Sequence, residues 1–268
     1  MLQSPIYLVP YDFSQIAESA FVMALQLAKR NDGTVYLLHI AKTEMDEKKA
    51  NSQMHEMVRN LSEDGRKRVF VKVLRGNLYK SVAMAGEILE ANLSVMGTHG
   101  MTGLQRLLGS NALKMVAMSS TPYLLLVKEQ QLEKVDTIVM PFSFVEDTLF
   151  VLDALVEFAK QYQSVIHLVG YYDDKEFQNN RSKENQRTAR KFLESNGLAC
   201  EIVNLPRNKS YEEELSDYMY KVNADLIAAS YFKNSMLPPP NSFIQVMLNN
   251  DHLLPMLTVN GDAFRVRL

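Results

Sequence analysis

Four glycines fall within thirteen residues in the run Gly97-Thr98-His99-Gly100-Met101-Thr102-Gly103-Leu104-Gln105-Arg106-Leu107-Leu108-Gly109, and Ser110 follows at once. Glycine has no Cβ, so such a run lets backbone N–H groups approach a ligand closely and adopt φ > 0. Behind Gly109 and Ser110 the pattern turns helical, with Asn111, Leu113, Lys114, Val116 and Ala117. A helix N-terminus carries unpaired N–H groups and partial positive charge, which is the chemistry that holds a phosphate. The competing account is a tight turn before a capped helix, with no ligand. The run is not a Walker A loop, which needs Gly-Lys-Ser/Thr. Nor is it a dinucleotide fingerprint, which follows a first strand.

For this loop to act, the chain has to bring it beside other polar groups. In open α/β sheets, ligands bind outside the carboxyl ends of the strands. The candidates are therefore the residues just after each strand: Asp12, Ile40, Gly76 and Gly97 to Ser110. Short apolar runs at Tyr7–Pro10, Val35–Ile40, Val69–Leu74, Leu93–Gly97 and Tyr123–Val127 suit strands covered on both faces. A helix separates the first two; Ser14 can cap it, and Ile16, Ala20, Ala24, Leu27 and Ala28 share one face. The stretch 46–63 is polar, with Met54, Met57, Val58 and Leu61 expected as its only buried stripe, and Ser81–Ala91 reads as a further helix. Alternating strands and helices predict five parallel strands in an α/β unit.

The pattern then repeats. Superposing Pro10 on Pro141 aligns Ile6–Phe13 with the segment that ends at Ser143 and Phe144. Ala24–Lys29 falls on Leu155–Lys160, Val35–Leu38 on Ile166–Val169, Leu93 on Leu226, and Pro122 on Pro255. A boundary near the polar Glu129–Lys134 predicts two tandem domains, 1–131 and 132–268. The second copy includes a long charged helix around Lys183–Ser195. It has lost the chemistry: Asp12 becomes Ser143, Gly97 becomes Ser230 and Gly100 becomes Lys233, and its loop carries Pro238-Pro239-Pro240. Proline has no N–H to give a phosphate. Eight of the eleven glycines lie before residue 132, and acids outnumber bases only after it.

Composition excludes several classes. The 268 residues are 47% hydrophobic and 22% charged, with a net charge of −2. That is a globular mix with no basic field for nucleic acid or anionic lipid. One cysteine, Cys200, excludes an internal disulfide framework. No apolar run is long enough to span a membrane and the start reads as a strand, so a cytoplasmic chain is expected. His39, His55, His167 and His252 show no metal spacing, with His39 a residue of the sheet, and Cys200 reads as a buried hydrophobe. Glu212-Glu213-Glu214 reads as a solvated helix start, and Arg106 and Lys114 as bases for phosphate or simply for solubility. Beyond His99 no catalytic base stands out.

Pro-x-Asp-Phe-Ser after the first strand, with Met-Gly-Thr-His-Gly and Gly-Ser after the fourth, resembles the universal stress protein family in its tandem form. The resemblance covers essentially the whole chain. It implies two flavodoxin-like (adenine nucleotide alpha hydrolase-like) domains, each a five-stranded parallel sheet of order 3-2-1-4-5 flanked by helices. It also implies a stress-response regulatory protein that binds ATP or another adenine nucleotide, with Mg²⁺, in its N-terminal domain. The alternative is an interaction or dimerisation module that binds no nucleotide. The implied contact set is Pro10, Tyr11, Asp12, Ile40, Met96, Gly97, His99, Gly100, Gly109, Ser110 and Asn111. Asp12 would hold adenosine and the Ile40 backbone the base. Gly97, His99 and Gly100 would line ribose and phosphates, and Gly109, Ser110 and Asn111 would grip the phosphates. Eight residues separate Gly100 from Gly109 where the family pattern has nine, and Tyr11 stands where a small residue is usual. Its ring either stacks on a base or fills the pocket. Implied partners are a pseudo-dimer of the two halves through their last strands (Tyr123–Val127 and Pro255–Val259), a homodimer and a further protein, with neither nucleic acid nor membrane.

Overall fold

In the computed structural model the described residues are 4–98, 110–142, 148–171, 176–206, 208–232, 244, 247–248 and 253–265. The chain divides into two compact units, Met1–Gln131 and Leu132–Leu268.

The first unit runs β1 (Ile6–Pro10), α1 (Gln15–Arg30), β2 (Thr34–Ala41), α2 (Glu44–Arg59), α3 (Glu63–Arg68), β3 (Val69–Arg75), α4 (Leu78–Ile88), β4 (Leu93–Gly97), α5 (Ser110–Val116) and β5 (Tyr123–Leu126). Its strands lie in the order β3-β2-β1-β4-β5, and each neighbouring pair is parallel. Central strands are apolar on both faces: Tyr7, Leu8 and Val9 of β1 and Val95 of β4 are all buried. That is what helices on both sides of a parallel sheet require. Each of α1 to α4 starts on a side-chain cap. Ser14, Thr43, Ser62 and Asn77 accept a backbone N–H from the first turns of α1, α2, α3 and α4. The polar 46–63 stretch resolves into two helices, with Ala50 and Met54 the buried residues of α2. The helix expected at Ser81–Ala91 begins and ends about a turn earlier, because Asn77 caps it.

The second unit runs β6 (Thr137–Phe142), a 3₁₀ turn at Thr148–Val151, α6 (Leu152–Ala159), β7 (Val165–Tyr171), α7 (Glu176–Ser195), β8 (Cys200–Leu205), α8 (Tyr211–Lys221), β9 (Leu226–Tyr231), β10 (Met256–Asn260) and α9 (Gly261–Arg265). Its order, β8-β7-β6-β9-β10, is the same arrangement. The register repeats residue by residue. Pro10 faces Leu38 and Pro141 faces Val169; Tyr7 faces Leu93 and Ile138 faces Leu226. Likewise Ser94 pairs with Tyr123 as Ile227 pairs with Met256, and Val35 with Val69 as Ile166 with Cys200. Cys200 opens an outer strand of its unit and is half-buried rather than buried. No described helix is long and apolar enough to cross a membrane.

Candidate functional site

The strand order of the first unit reverses between β1 and β4, the place where a doubly wound sheet opens a crevice at its carboxyl edge. Asp12 stands there, half-buried, in the turn from β1 to α1. Its Oδ1 accepts the Ser14 backbone N–H at 3.1 Å and the Ser14 hydroxyl at 2.6 Å. The Ser14 Oγ in turn accepts the Ala17 N–H at 3.2 Å, so the carboxylate is chained to the first turn of α1. Both bonds fall on Oδ1 and fix where Oδ2 points, beside the positive end of a helix.

Tyr11 settles into the core. Its ring is buried, 5.2 Å edge-on from Phe13 and 6.4 Å from Phe21. The hydroxyl donates to Glu18 Oε2 at 2.5 Å and lies 3.3 Å from Met57 Sδ. Burial first, then the Glu18 carboxylate, drives its ionisation far above the ordinary phenol range. The buried ring fills space at this edge. Its backbone is engaged as well, the N–H on Leu38 O at 2.8 Å and the carbonyl on His39 Nδ1 at 2.8 Å.

Pro10 ends β1 half-buried, opposite Leu38, and Ile40 and Met96 are buried near the ends of β2 and β4. Gly97 answers a packing demand. A Cβ built on it would lie 2.5 Å from Ile16 Cγ1, so only glycine lets α1 rest on the end of β4. The Thr98 N–H then continues the ladder to Leu126 O at 2.8 Å. Ser110 begins α5, as the sequence pattern requires. The side chains of Ser110 and Asn111, and the whole of His99, Gly100, Arg106 and Gly109, lie outside the described residues. Lys114 Nζ sits 5.6 Å over the Tyr79 ring, a cation–π seat for one of the two candidate bases.

Two residues at this edge escape a reading by residue type. Phe13 adopts φ 64°, the left-handed region, and keeps 42% of its surface exposed although it is aromatic. Holding a non-glycine residue there costs on the order of 1–2 kcal/mol, so the turn is set by its surroundings. His39 lies under the Phe13 ring at 5.2 Å. The only hint of either was position: both flank the end of a strand. Among the described residues no group of three or more His, Cys, Asp or Glu could hold a metal ion.

Among the described residues, the corresponding edge of the second unit carries the aromatic side chains Phe142, Phe150 and Phe232. Phe142, the counterpart of Tyr11, is buried, and Ser230 stands in the place of Gly97. Phe232, the counterpart of His99, packs 6.3 Å from Phe150 and lies over Gly261, whose added Cβ would strike the ring. The Tyr211 hydroxyl donates to Val169 O at 3.0 Å. Glu214 departs from the expected solvated helix start: it is buried, and Oε1 accepts the Asn208 N–H at 3.2 Å. Ser143, Lys233, Pro238 to Pro240 and His252 lie outside the described residues.

No curated protein matches the chain in sequence. Its fold is similar to that of a universal stress protein from Archaeoglobus fulgidus DSM 4304, with a TM-score of 0.74 and 13% identity over 97% of this chain and 99% of that one. A functionally unknown protein from Pseudomonas aeruginosa PAO1 is similar too, with a TM-score of 0.68 and 12% identity over 98% and 95% of the two chains. At these identities the likeness is one of fold. Sequence carries the kinship further for one unit, because residues 6–128 match the model of the universal stress protein family. Over those residues, which make up most of the first unit, the chain is similar to the universal stress protein family.

Proposed function

We propose that the first unit binds an adenine nucleotide at the carboxyl ends of β1, β2 and β4, and that the chain is a cytoplasmic regulatory protein of the stress response. The observation that carries this reading is the Asp12 carboxylate, fixed by Ser14 at 2.6 Å and 3.1 Å, at the point where the strand order reverses. A carboxylate with one oriented oxygen suits the hydroxyls of a ribose, and the apolar Ile40 and exposed Phe13 suit a base beside it. These residues fit the nucleoside part of ATP. Its phosphates, with Mg²⁺, are assigned to Gly97, His99, Gly100, Gly109, Ser110 and Asn111 by the family motif. Bound nucleotide would bring a polyphosphate charge to this edge, and the chain's part is to hold and orient it. In this reading the second unit, with aromatic side chains among the described residues of the matching edge, carries no nucleotide.

A second reading, an interaction module without nucleotide, draws on a different observation. Met84 and Ile88, one turn apart on α4, are 59% and 74% exposed, and Met118 beyond α5 is exposed as well. Mass spectrometry of small molecules released by denaturing freshly purified protein separates the two. Adenine nucleotide near one per chain supports the first reading. Its absence, together with no affinity for added ATP, ADP or AMP, supports the second.

A further inference from the structure

Beside the cleft lies an imidazole whose two nitrogens are unequally served. His39 is 9% exposed, near the end of β2. Its Nδ1 is 2.8 Å from the Tyr11 carbonyl oxygen, which can only accept, so Nδ1 carries a proton. In the neutral ring Nε2 is then an acceptor, and it is buried with no hydrogen-bond partner. Facing it at 3.8 Å is Asp46 Oδ2, another acceptor. A proton on Nε2 turns this opposition into a charge-assisted pair.

Asp46 is held ready for that pair. The Lys42 N–H donates to the same Oδ2 at 2.9 Å, and the Asp46 N–H donates to Thr43 Oγ1 at 3.1 Å. The Lys42 bond, with help from His39, holds the carboxyl below its usual range, so it stays charged while an imidazole titrates. On its other side the ring meets the candidate site. The carbonyl it holds belongs to Tyr11, the residue before Asp12. The Phe13 ring, 5.2 Å away and tilted by 55°, is near enough for cation–π attraction once the imidazole is charged.

We propose that His39 is a proton-sensitive positioning residue: protonation pairs Nε2 with Asp46 and locks the Tyr11-Asp12-Phe13 turn in its nucleotide-holding form. The coupling to ligand rests on the nucleotide reading of this cleft; the clamp itself does not. Charged and titratable groups on the segments around the ring include Tyr11 and Asp12 from the β1 turn, Lys42, Asp46 and Glu47 before and within α2, and Lys72 and Arg75 of β3. Arg75 is engaged by Glu47 at 2.8 Å, and the neighbour of His39 on β3 is the uncharged Val73. Nucleotide and proton favour the same turn, so each strengthens the other by one factor. Affinity is therefore greatest with the imidazole charged and falls as rising pH removes its proton.

The test is a pH titration of the full chain by NMR, paired with calorimetric Mg²⁺-ATP affinities. Amides of Asp12, Phe13, Ser14 and Asp46 should shift together with the His39 imidazole. In His39→Asn, whose amide can still donate to Tyr11 but cannot charge, they should not. In Asp46→Asn, a second variant should the first fail to fold, the imidazole should titrate at lower pH. Affinity of the wild-type chain should fall about fivefold between about pH 6 and about pH 8, a fall that His39→Asn should lack. Amides that ignore the imidazole overturn the proposal, whatever ATP does. Titrating amides without any ATP affinity uphold the clamp and refute the nucleotide function. Titrating amides with the same affinity profile in both chains refute the coupling and leave the nucleotide function standing.

Discussion

Ile16 occupies the space that a side chain on Gly97 would need: an ideal Cβ there falls 2.5 Å from Ile16 Cγ1 and 3.0 Å from Ile16 Cβ. The first turn of α1 therefore rests on the end of β4, and Asp12 and Thr98 come to lie at adjoining strand ends. Gly97→Ala must push Ile16 aside, at an expected cost of ~1–3 kcal/mol. Ile16→Ala relieves the clash while losing ~2–5 kcal/mol of packing on its own. The double variant should thus be less destabilised than the sum of the two. Denaturant midpoints of the four chains check this, and simple additivity would contradict the packing account.

Alkaline pH should unfold the chain through its buried phenols. Of twelve tyrosines, five are shifted upward, chiefly by burial: Tyr11, Tyr123, Tyr211, Tyr218 and Tyr231, with Tyr123 pushed to about 12. A raised phenol contributes stability that is whole below its unfolded value of ~10 and is lost as pH climbs through the folded value. Tyrosinate absorbance should rise in two phases, the later one coinciding with loss of circular dichroism. All twelve titrating in one reversible step, with the fold intact, would refute it.

Cys200 should be a poor nucleophile. Burial foremost pushes its thiol up to about 11, which leaves roughly one thiolate in ten thousand at neutral pH. Alkylation of the native chain should run about a hundredfold slower than that of the unfolded chain. Equal rates would show that the start of β8 opens freely.

Much of this architecture was legible because a duplicated pattern can be read twice. Pro10 and Pro141 mark the same strand end, and the pairings Tyr7 with Leu93 and Ile138 with Leu226 fall where the internal alignment puts them. Ser14 was legible as a cap because its chemistry is local. Long-range distance was not. Nothing in the sequence says that Gly97 is small for the sake of Ile16, eighty-one residues earlier in the chain. Nor does it say that Glu214 is buried to meet the Asn208 N–H, or that the Tyr11 hydroxyl finds Glu18 and Met57. The exposed Phe13 ring follows from one positive φ, which a residue type other than glycine does not announce. His39 was legible as a residue of the sheet, whereas its partners on two other elements were not.

The central claim is one adenine-nucleotide site per chain, in the first unit, with Asp12 as a ligand-holding carboxylate. Calorimetric titration of the full chain with Mg²⁺-ATP, repeated on Asp12→Ala, tests it most directly. Losing a charged acceptor should weaken binding about tenfold or more, near 1.4 kcal/mol, while circular dichroism stays unchanged. The account predicts a stoichiometry of one that Asp12→Ala keeps with lower affinity. Two equivalent sites, or an affinity indifferent to Asp12, would contradict it.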